Sequence, residues 1–133
     1  DKLKDNTVYC HNGVFNGNFT VRSGGKLKVQ ENQRVAVDGY INLDLYSNLV
    51  NTGDLIVFGN VVKTYQGDSV TNNGTLTIKG EFKSDGFNMT EEGAVLTVGG
   101  NLSLPLSKCN ITNGTVIFNG DEQQTVNGLK APL

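Results

Sequence analysis

The sequence predicts an all-β, single-domain parallel β-solenoid (a β-helix) with about five coils of about 20 residues each. Three observations predict this fold. A glycine-framed strand signature recurs at a nearly constant interval, apolar residues alternate with polar ones inside each copy, and only 18% of the 133 residues are charged. In a solenoid each coil buries its apolar face by stacking on the next coil, so a regularly repeated strand is what the fold requires.

The signature is a short strand between two glycines, as in Gly-Asp-Leu-Ile-Val-Phe-Gly at 53–59. The glycines that open its four copies follow one another at nearly equal intervals: Gly53, Gly74, Gly93 and Gly114. The segment from Gly25 to Gln30 looks like a degenerate first copy. The stretch from Gly25 to Gly53 is longer than the other intervals, which predicts an insertion or a longer side in that coil.

Alternation assigns the faces of these strands, because successive side chains of a strand point to opposite sides. The pairs expected to point inward and to stack as ladders are Leu27/Val29, Leu55/Val57, Leu76/Ile78, Leu96/Val98 and Val116/Phe118. The expected outward column is Lys28, Ile56, Thr77, Thr97 and Ile117. A second strand in each coil brings Val61, Phe82 or Leu102 inward, and Glu122 breaks this pattern in the last copy. A third apolar point precedes each copy, so the predicted cross-section is roughly triangular.

The pattern divides the chain into three segments. Residues 1–24 are predicted to be an irregular N-terminal cap with Phe15 and Phe19 as a lid, and residues 25–126 to form the coils. Residues 127–133 are predicted to be a tail or the boundary to a following domain. The chain opens with Asp1 rather than Met, so we expect it to be a processed or excised piece of a longer protein.

The two cysteines, Cys10 and Cys109, are expected at opposite ends of the stack. Coils rise about 4.8 Å each, so four or five coils would separate the two thiols by roughly 20 Å. A disulfide needs Cα atoms within about 7 Å of each other. We therefore predict that these cysteines are not bonded to each other.

Charge and composition exclude several classes of partner. The net charge is −2 and the 11 basic residues are scattered, whereas a nucleic-acid-binding surface needs clustered Lys and Arg. No stretch is long and apolar enough for a membrane-spanning helix. We expect neither nucleic acid binding nor membrane insertion.

Residues with catalytic or metal-binding chemistry are few. His11 is the only histidine and adjoins Cys10, but neighbouring residues of a strand point apart, and one His with two distant Cys cannot supply a zinc site. Glu81 and Asp121 would lie two coils apart, roughly 10 Å, near the upper limit for an inverting glycosidase. We expect them to be solvated corner residues. The sequence therefore assigns no catalytic, cofactor-binding or metal-binding residue.

With the repeat laid out, the chain resembles the secreted β-solenoid repeat regions of large surface proteins of Gram-positive, Clostridia-like bacteria. The residues that carry this resemblance are the strand–Gly–polar units Leu55–Asn60 and Leu76–Glu81, and Gly114–Gly120 followed by Gln123–Val126. The opening segment from Tyr9 to Val21 is similar to the start of such regions. The order of strand, glycine and polar residue in each unit is also similar to that of filamentous-haemagglutinin-type adhesins.

The resemblance implies a non-enzymatic, secreted or cell-surface bacterial module that acts as a stalk or adhesin segment. The implied partners are a cell-surface glycan or a protein of a host or neighbouring cell. Exposed aromatic side chains are the residues expected to contact such a partner: Tyr40, Tyr46, Phe58 and Tyr65. Two alternatives stay open, a carbohydrate-binding or carbohydrate-active β-helix and a module that self-assembles through the open solenoid ends, especially the C-terminal coil.

Overall fold

The computed structural model describes residues 6–63, 70–105 and 108–128. These residues form eighteen short strands, and none of them is α-helical. The strands are β1 (Thr7–Cys10), β2 (Gly13–Phe15), β3 (Phe19–Val21), β4 (Lys26–Val29), β5 (Arg34–Val37), β6 (Ile41–Leu43), β7 (Asn48–Asn51), β8 (Asp54–Val57), β9 (Val61–Lys63), β10 (Val70–Asn72), β11 (Thr75–Ile78), β12 (Phe82–Lys83), β13 (Phe87–Met89), β14 (Val95–Val98), β15 (Leu102–Ser103), β16 (Cys109–Ile111), β17 (Thr115–Phe118) and β18 (Val126–Asn127).

The strands build three parallel six-stranded sheets that enclose one core. Sheet A is β1-β4-β7-β10-β13-β16, sheet B is β2-β5-β8-β11-β14-β17, and sheet C is β3-β6-β9-β12-β15-β18. The chain visits A, B and C in turn and then steps to the next layer, where a layer is one strand from each sheet. Six layers are joined by five steps of about 21 residues, which confirms the predicted parallel β-solenoid.

The core consists of in-register columns of inward side chains. On sheet B, Leu76 pairs with Leu55 and Leu96, and Ile78 pairs with Val57 and Val98. All six side chains are fully buried, as predicted. The pair Leu27/Val29, expected in the same ladders, instead points inward from sheet A, and Val35/Val37 take its place on sheet B. Phe82 and Phe87 meet edge to face with ring centroids 5.4 Å apart, which joins sheet C to sheet A across the core.

The prediction of an insertion between Gly25 and Gly53 is wrong, because the two glycines belong to different sheets. The strand after Gly25 is β4, which lies in sheet A, whereas the strands after Gly53, Gly74 and Gly114 lie in sheet B. The sheet B strand of that layer is β5, which pairs with β8 in the ordinary register of the repeat, with Arg34 opposite Asp54.

This correction changes the outward column of sheet B. Lys28 faces outward from sheet A, opposite Val50, and its expected place beside Ile56 is taken by Ala36. The complete outward column is Val14, Ala36, Ile56, Thr77, Thr97 and Ile117.

The segment expected to be an irregular cap is itself a layer in its described part. Residues 7–21 supply the first strand of each sheet, and the rings of Phe15 and Phe19 pack 5.0 Å apart at this end, where the inward Phe15 is 44% exposed. At the other end Val126 pairs with Leu102. It takes the inward position for which the sequence pattern offered only Glu122. Phe118 is 37% exposed there, whereas its neighbour Val98 is fully buried. Inward apolar side chains are thus open at both ends of the described stack.

Cys10 and Cys109 lie in the first and last layers, and no disulfide joins them. The prediction that they are not bonded to each other is confirmed. Burial of Cys10 raises the pKa of its thiol.

Candidate functional site

A column of glycines runs along the corner between sheets B and C in all six layers. We call it the glycine edge, and its members are Gly17, Gly39, Gly59, Gly80, Gly100 and Gly120. Each is the middle residue of the connection between the two sheets, except that in the last layer the connection extends from Asn119 to Thr125.

The glycines are required because the backbones of successive layers touch at this corner. A Cβ on Gly59 would lie 2.7 Å from the carbonyl oxygen of Gly39, and a Cβ on Gly80 would lie 2.7 Å from that of Gly59. The amides of Gly59, Gly80 and Gly100 donate hydrogen bonds of 2.8, 3.1 and 2.9 Å to the carbonyl of the glycine one layer below. Only a residue without a side chain permits this approach.

Two columns of side chains flank the glycine edge. We call the strip of glycine backbone between them the furrow, and the Oδ1 atoms of Asn18 and Asn60 lie against Gly39 and Gly80 within it. The residues before the glycines are Asn16, Asp38, Phe58, Lys79, Gly99 and Asn119, and those after them are Asn18, Tyr40, Asn60, Glu81, Asn101 and Asp121. Asparagines fix the second column, because the Oδ1 atoms of Asn18 and Asn60 accept hydrogen bonds from the backbone amides of Tyr40 (3.1 Å) and Glu81 (2.7 Å).

The furrow ends in a cleft of about 650 Å³ beneath the Asn119–Thr125 loop. Its floor includes Gly99 and Gly100, and its charged lining residues are Lys79, Glu81, Asp121 and Glu122. Gln124 anchors the loop through its side chain. Its Nε2 donates to the carbonyl oxygens of Gly100 (2.6 Å) and Val98 (3.0 Å), and its Oε1 accepts from the amide of Gly120 (2.7 Å).

The four charged groups of the cleft are available to a ligand. The ion pairs within the described parts of the chain are Arg22–Asp44, Arg34–Asp54 and Lys108–Asp85, and none of them uses a cleft residue. With three carboxylates against one ammonium group, the cleft carries a formal charge of −2. The sequence places Glu81 and Asp121 two coils apart. In the structure both residues line this cleft.

The aromatic residues predicted to form a ligand surface are divided between two corners. Tyr40 (38% exposed) and Phe58 (50% exposed) flank the furrow on opposite sides and in adjacent layers. Tyr46 (58% exposed) lies in the turn between β6 and β7, at the corner between sheets C and A, with a left-handed φ of 58°. Tyr65 lies outside the described residues. The furrow thus unites two of the predicted residues with the cleft.

The other residues considered from sequence lie apart from this site. His11 is exposed in the link between β1 and β2, while Cys10 belongs to the inward ladder. Glu91 and Glu92 are exposed at the corner between sheets A and B. Across residues 6–63, 70–105 and 108–128, no three His, Cys, Asp or Glu side chains form a group that could hold a metal ion.

Sequence reasoning missed the full glycine edge and an inward lysine. Gly17 and Gly39 continue the regular spacing of the closing glycines toward the N-terminus, and that regularity was visible in the sequence. Lys63 follows Val61 at period 2 and is fully buried, with its Nζ donating to the carbonyl oxygen of Asp44 at 3.2 Å. Side chains two residues apart on a strand share a face, so the inward position of Val61 predicts that Lys63 also points inward.

The chain matches no protein-family model, no curated protein and no solved structure. Within the described segments, no helix is long and apolar enough to cross a membrane.

Proposed function

We propose that this chain is a non-enzymatic structural module of a secreted or cell-surface bacterial protein, serving as a stalk or adhesin segment. Its role is geometric: a stack of coils holds the side chains along its corners at fixed positions for a partner to contact. The partners are a cell-surface glycan or a protein of a host or neighbouring cell.

The observation that carries the proposal is the continuous core. Inward side chains on sheet B are fully buried from Leu55 through Val98, layer upon layer, and the layers are joined by parallel ladders in all three sheets. A quasi-one-dimensional stack of this kind distributes its stability along its axis and suits an extended spacer.

Localisation of the protein in its source cells tests the proposal. An antibody raised against this chain should label intact, unpermeabilised cells or detect the protein in the culture medium, and external protease should remove the cell-bound signal. Labelling only after permeabilisation, with the protein confined to the cytosolic fraction, would refute the stalk and adhesin role.

A carbohydrate-active β-helix is the second candidate, and the shared cleft of Glu81 and Asp121 favours it. Inverting glycosidases use two carboxyl groups roughly 6.5–9.5 Å apart with a water between them. Incubation with polysaccharides and a reducing-end assay distinguish the candidates. Release of new ends by the native chain but not by Glu81→Gln or Asp121→Asn would establish the enzyme, whereas no release by any of the three agrees with the structural module.

Self-assembly is the third candidate, and the apolar residues open at both ends of the described stack favour it. Sedimentation velocity over a range of concentrations tests it. Concentration-dependent oligomers that disappear in Phe118→Ser would support docking through the C-terminal coil. A monomer at every concentration would refute it.

A further inference from the structure

We propose that the furrow along the glycine edge binds an oligosaccharide carrying free amino groups, lying lengthwise from Tyr40 to the Asn119–Thr125 loop. The inference deepens the adhesin form of the proposed function and rests on it, because it names the ligand class and the surface that such a module would use. It is carried by the shape of the furrow, its two exposed aromatic rings and the charge of the cleft at its end.

The shape of the site suits a chain-like ligand rather than a single sugar. Tyr40 belongs to the second layer and the loop to the sixth, so the site extends over four layer steps, or about 19 Å at about 4.8 Å per layer. Its floor is glycine backbone together with the side-chain amide groups of Asn18, Asn60 and Gln124, which lie against Gly39, Gly80 and Gly120. A straight strip of this kind suits a chain-like ligand better than an isolated pocket would.

The aromatic residues supply the apolar contacts. Phe58 and Tyr40 stand on opposite sides of the furrow in adjacent layers and are 50% and 38% exposed. Neither ring takes part in the aromatic pairs found in the described structure, which are Phe15–Phe19 and Phe82–Phe87. Large exposed rings with free faces can pack against the apolar face of a sugar ring, and they attract a nearby ammonium group.

The negative charge of the cleft favours a positively charged ligand. Glu81, Asp121 and Glu122 outnumber Lys79, and none of the four is neutralised by an ion pair within the described chain. Uronic-acid and sulfated chains would be repelled, whereas protonated amines would form charge-assisted hydrogen bonds with the carboxylates. Lys79 and the amide of Asn101, which also line the cleft, can serve the hydroxyl groups of the same sugars.

The wall of the cleft is held in place before any ligand arrives. The three hydrogen bonds of the Gln124 side chain fix the Asn119–Thr125 loop against the backbone of the layer below. A further bond of 2.9 Å joins the amide of Thr125 to the Oδ1 of Asn101. A preformed site loses less free energy to ordering on binding than a mobile loop does.

Titration calorimetry with a glucosamine hexamer at low salt and mildly acidic pH tests the proposal. We expect saturable binding to the native chain, weaker binding of the N-acetylated hexamer, and none of a galacturonate hexamer. Tyr40→Ala and Phe58→Ala should each weaken binding of the glucosamine hexamer about twofold to tenfold. The double variant Glu81→Gln/Asp121→Asn should weaken it by a similar or larger factor and should remove its salt dependence.

Two controls match these changes. Tyr46→Ala removes a more exposed aromatic ring at a different corner, and Glu91→Gln/Glu92→Gln removes two exposed carboxylates away from the cleft. Both should leave binding unchanged, and circular dichroism of every variant should match that of the native chain. Amide chemical shifts of Gly59, Gly80 and Gly100 should move during a titration with the native chain.

Three outcomes would overturn the inference: no binding of the glucosamine hexamer, equal losses in the control variants, or binding that ignores Tyr40→Ala and Phe58→Ala. In the last case a lysine hexapeptide should bind as tightly as the glucosamine hexamer, and the furrow would bind cations without selecting for sugars. Cell-surface labelling is a separate measurement, so a surface-exposed protein that binds no amino sugar would leave the stalk role standing while this inference fails.

Discussion

The glycine edge and the corner between sheets A and B turn the same chain in the same six layers, but they differ in how regularly the backbones of adjacent layers touch. At the glycine edge a glycine makes this contact in layer after layer. At the A–B corner Gly53 and Gly74 also make it, since a Cβ on Gly74 would clash with the carbonyl oxygen of Gly53, but Gly93 has no atom within 4 Å of its Cβ position. The side chains just before this turn point inward: Asn51 and Asn72 are fully buried, and the Nδ2 of Asn51 donates to the Oδ1 of Asn72 at 3.0 Å.

The difference explains why one corner is uniform and the other is not. Backbone contact leaves no room for a Cβ at the edge glycines from Gly39 to Gly120, while Gly17 in the first layer has a φ of 138°, which favours glycine. A buried side chain needs only a hydrogen-bond partner or an apolar neighbour, and the equivalent inward positions hold Cys10, Val29, Asn51, Asn72, Met89 and Ile111. The furrow, where the proposed ligand lies, runs along the uniform corner. At the variable corner these side chains form part of the core.

The largest expected effect on stability is in β11, a sheet B strand that runs from the A–B corner to the glycine edge. Ile78 lies on β11 between Val57 and Val98 and is fully buried, so Ile78→Ala should lower the free energy of unfolding by about 2–5 kcal/mol. Thr77→Ala, on the outer face of the same strand, should cost less than about 0.5 kcal/mol. Urea titration measures both. Equal costs would mean that the two faces of β11 are reversed.

The next effect compares the same substitution at a glycine that contacts the neighbouring layer and at one that does not. Gly59→Asn places a Cβ against backbone at 2.7–3.0 Å and should cost about 3 kcal/mol. Gly93→Asn at the A–B corner has a φ of 85°, which Asn tolerates, and no atom within 4 Å of its Cβ. It should cost well under about 1 kcal/mol. Thermal unfolding of the two variants should separate them clearly, and similar melting temperatures would show that the glycine edge is not a backbone contact.

The buried asparagine should contribute a smaller amount. Asn72 donates through Nδ2 to the carbonyl oxygen of Val95 at 2.8 Å and accepts from the amide of Gly74 at 3.2 Å. Asn72→Ala leaves both backbone groups without these partners and should cost about 1–3 kcal/mol. Asn42→Ala, on the outer face of sheet C, is the control and should be nearly neutral. A neutral Asn72→Ala would mean that water or a rearranged backbone replaces the amide.

The smallest effect concerns a thiol rather than stability. Burial raises the pKa of Cys10, so less of it is thiolate at a given pH and it should react more slowly than in the unfolded chain. Timed alkylation followed by mass spectrometry, with and without urea, measures the two rates. Reaction in the native state at the unfolded rate would place Cys10 outside the inward ladder.

The fold could be predicted from the sequence because burial imposes a period of two within strands and a regular, longer period from one layer to the next. The strands of the second layer were assigned to the wrong sheet because Gly25 resembles the glycine that opens a sheet B strand. The true sheet B strand of that layer, β5, follows Gln33 instead of a glycine. The cleft was beyond reach for a different reason. Glu81 and Asp121 were seen as a column, but the loop that covers them depends on the side-chain hydrogen bonds of Gln124, which no periodicity encodes.

The distance between the two ends of one outward column tests the central claim that six layers stack in register. Spin labels at Val14→Cys and Ile117→Cys, in a chain whose native cysteines are replaced by serine, occupy the first and last positions of the sheet B column. Five steps of about 4.8 Å predict a narrow distribution of backbone separation near about 24 Å. A broad distribution, or a mean that differs from this by more than about two steps, would contradict the continuous solenoid and the straight furrow that depends on it.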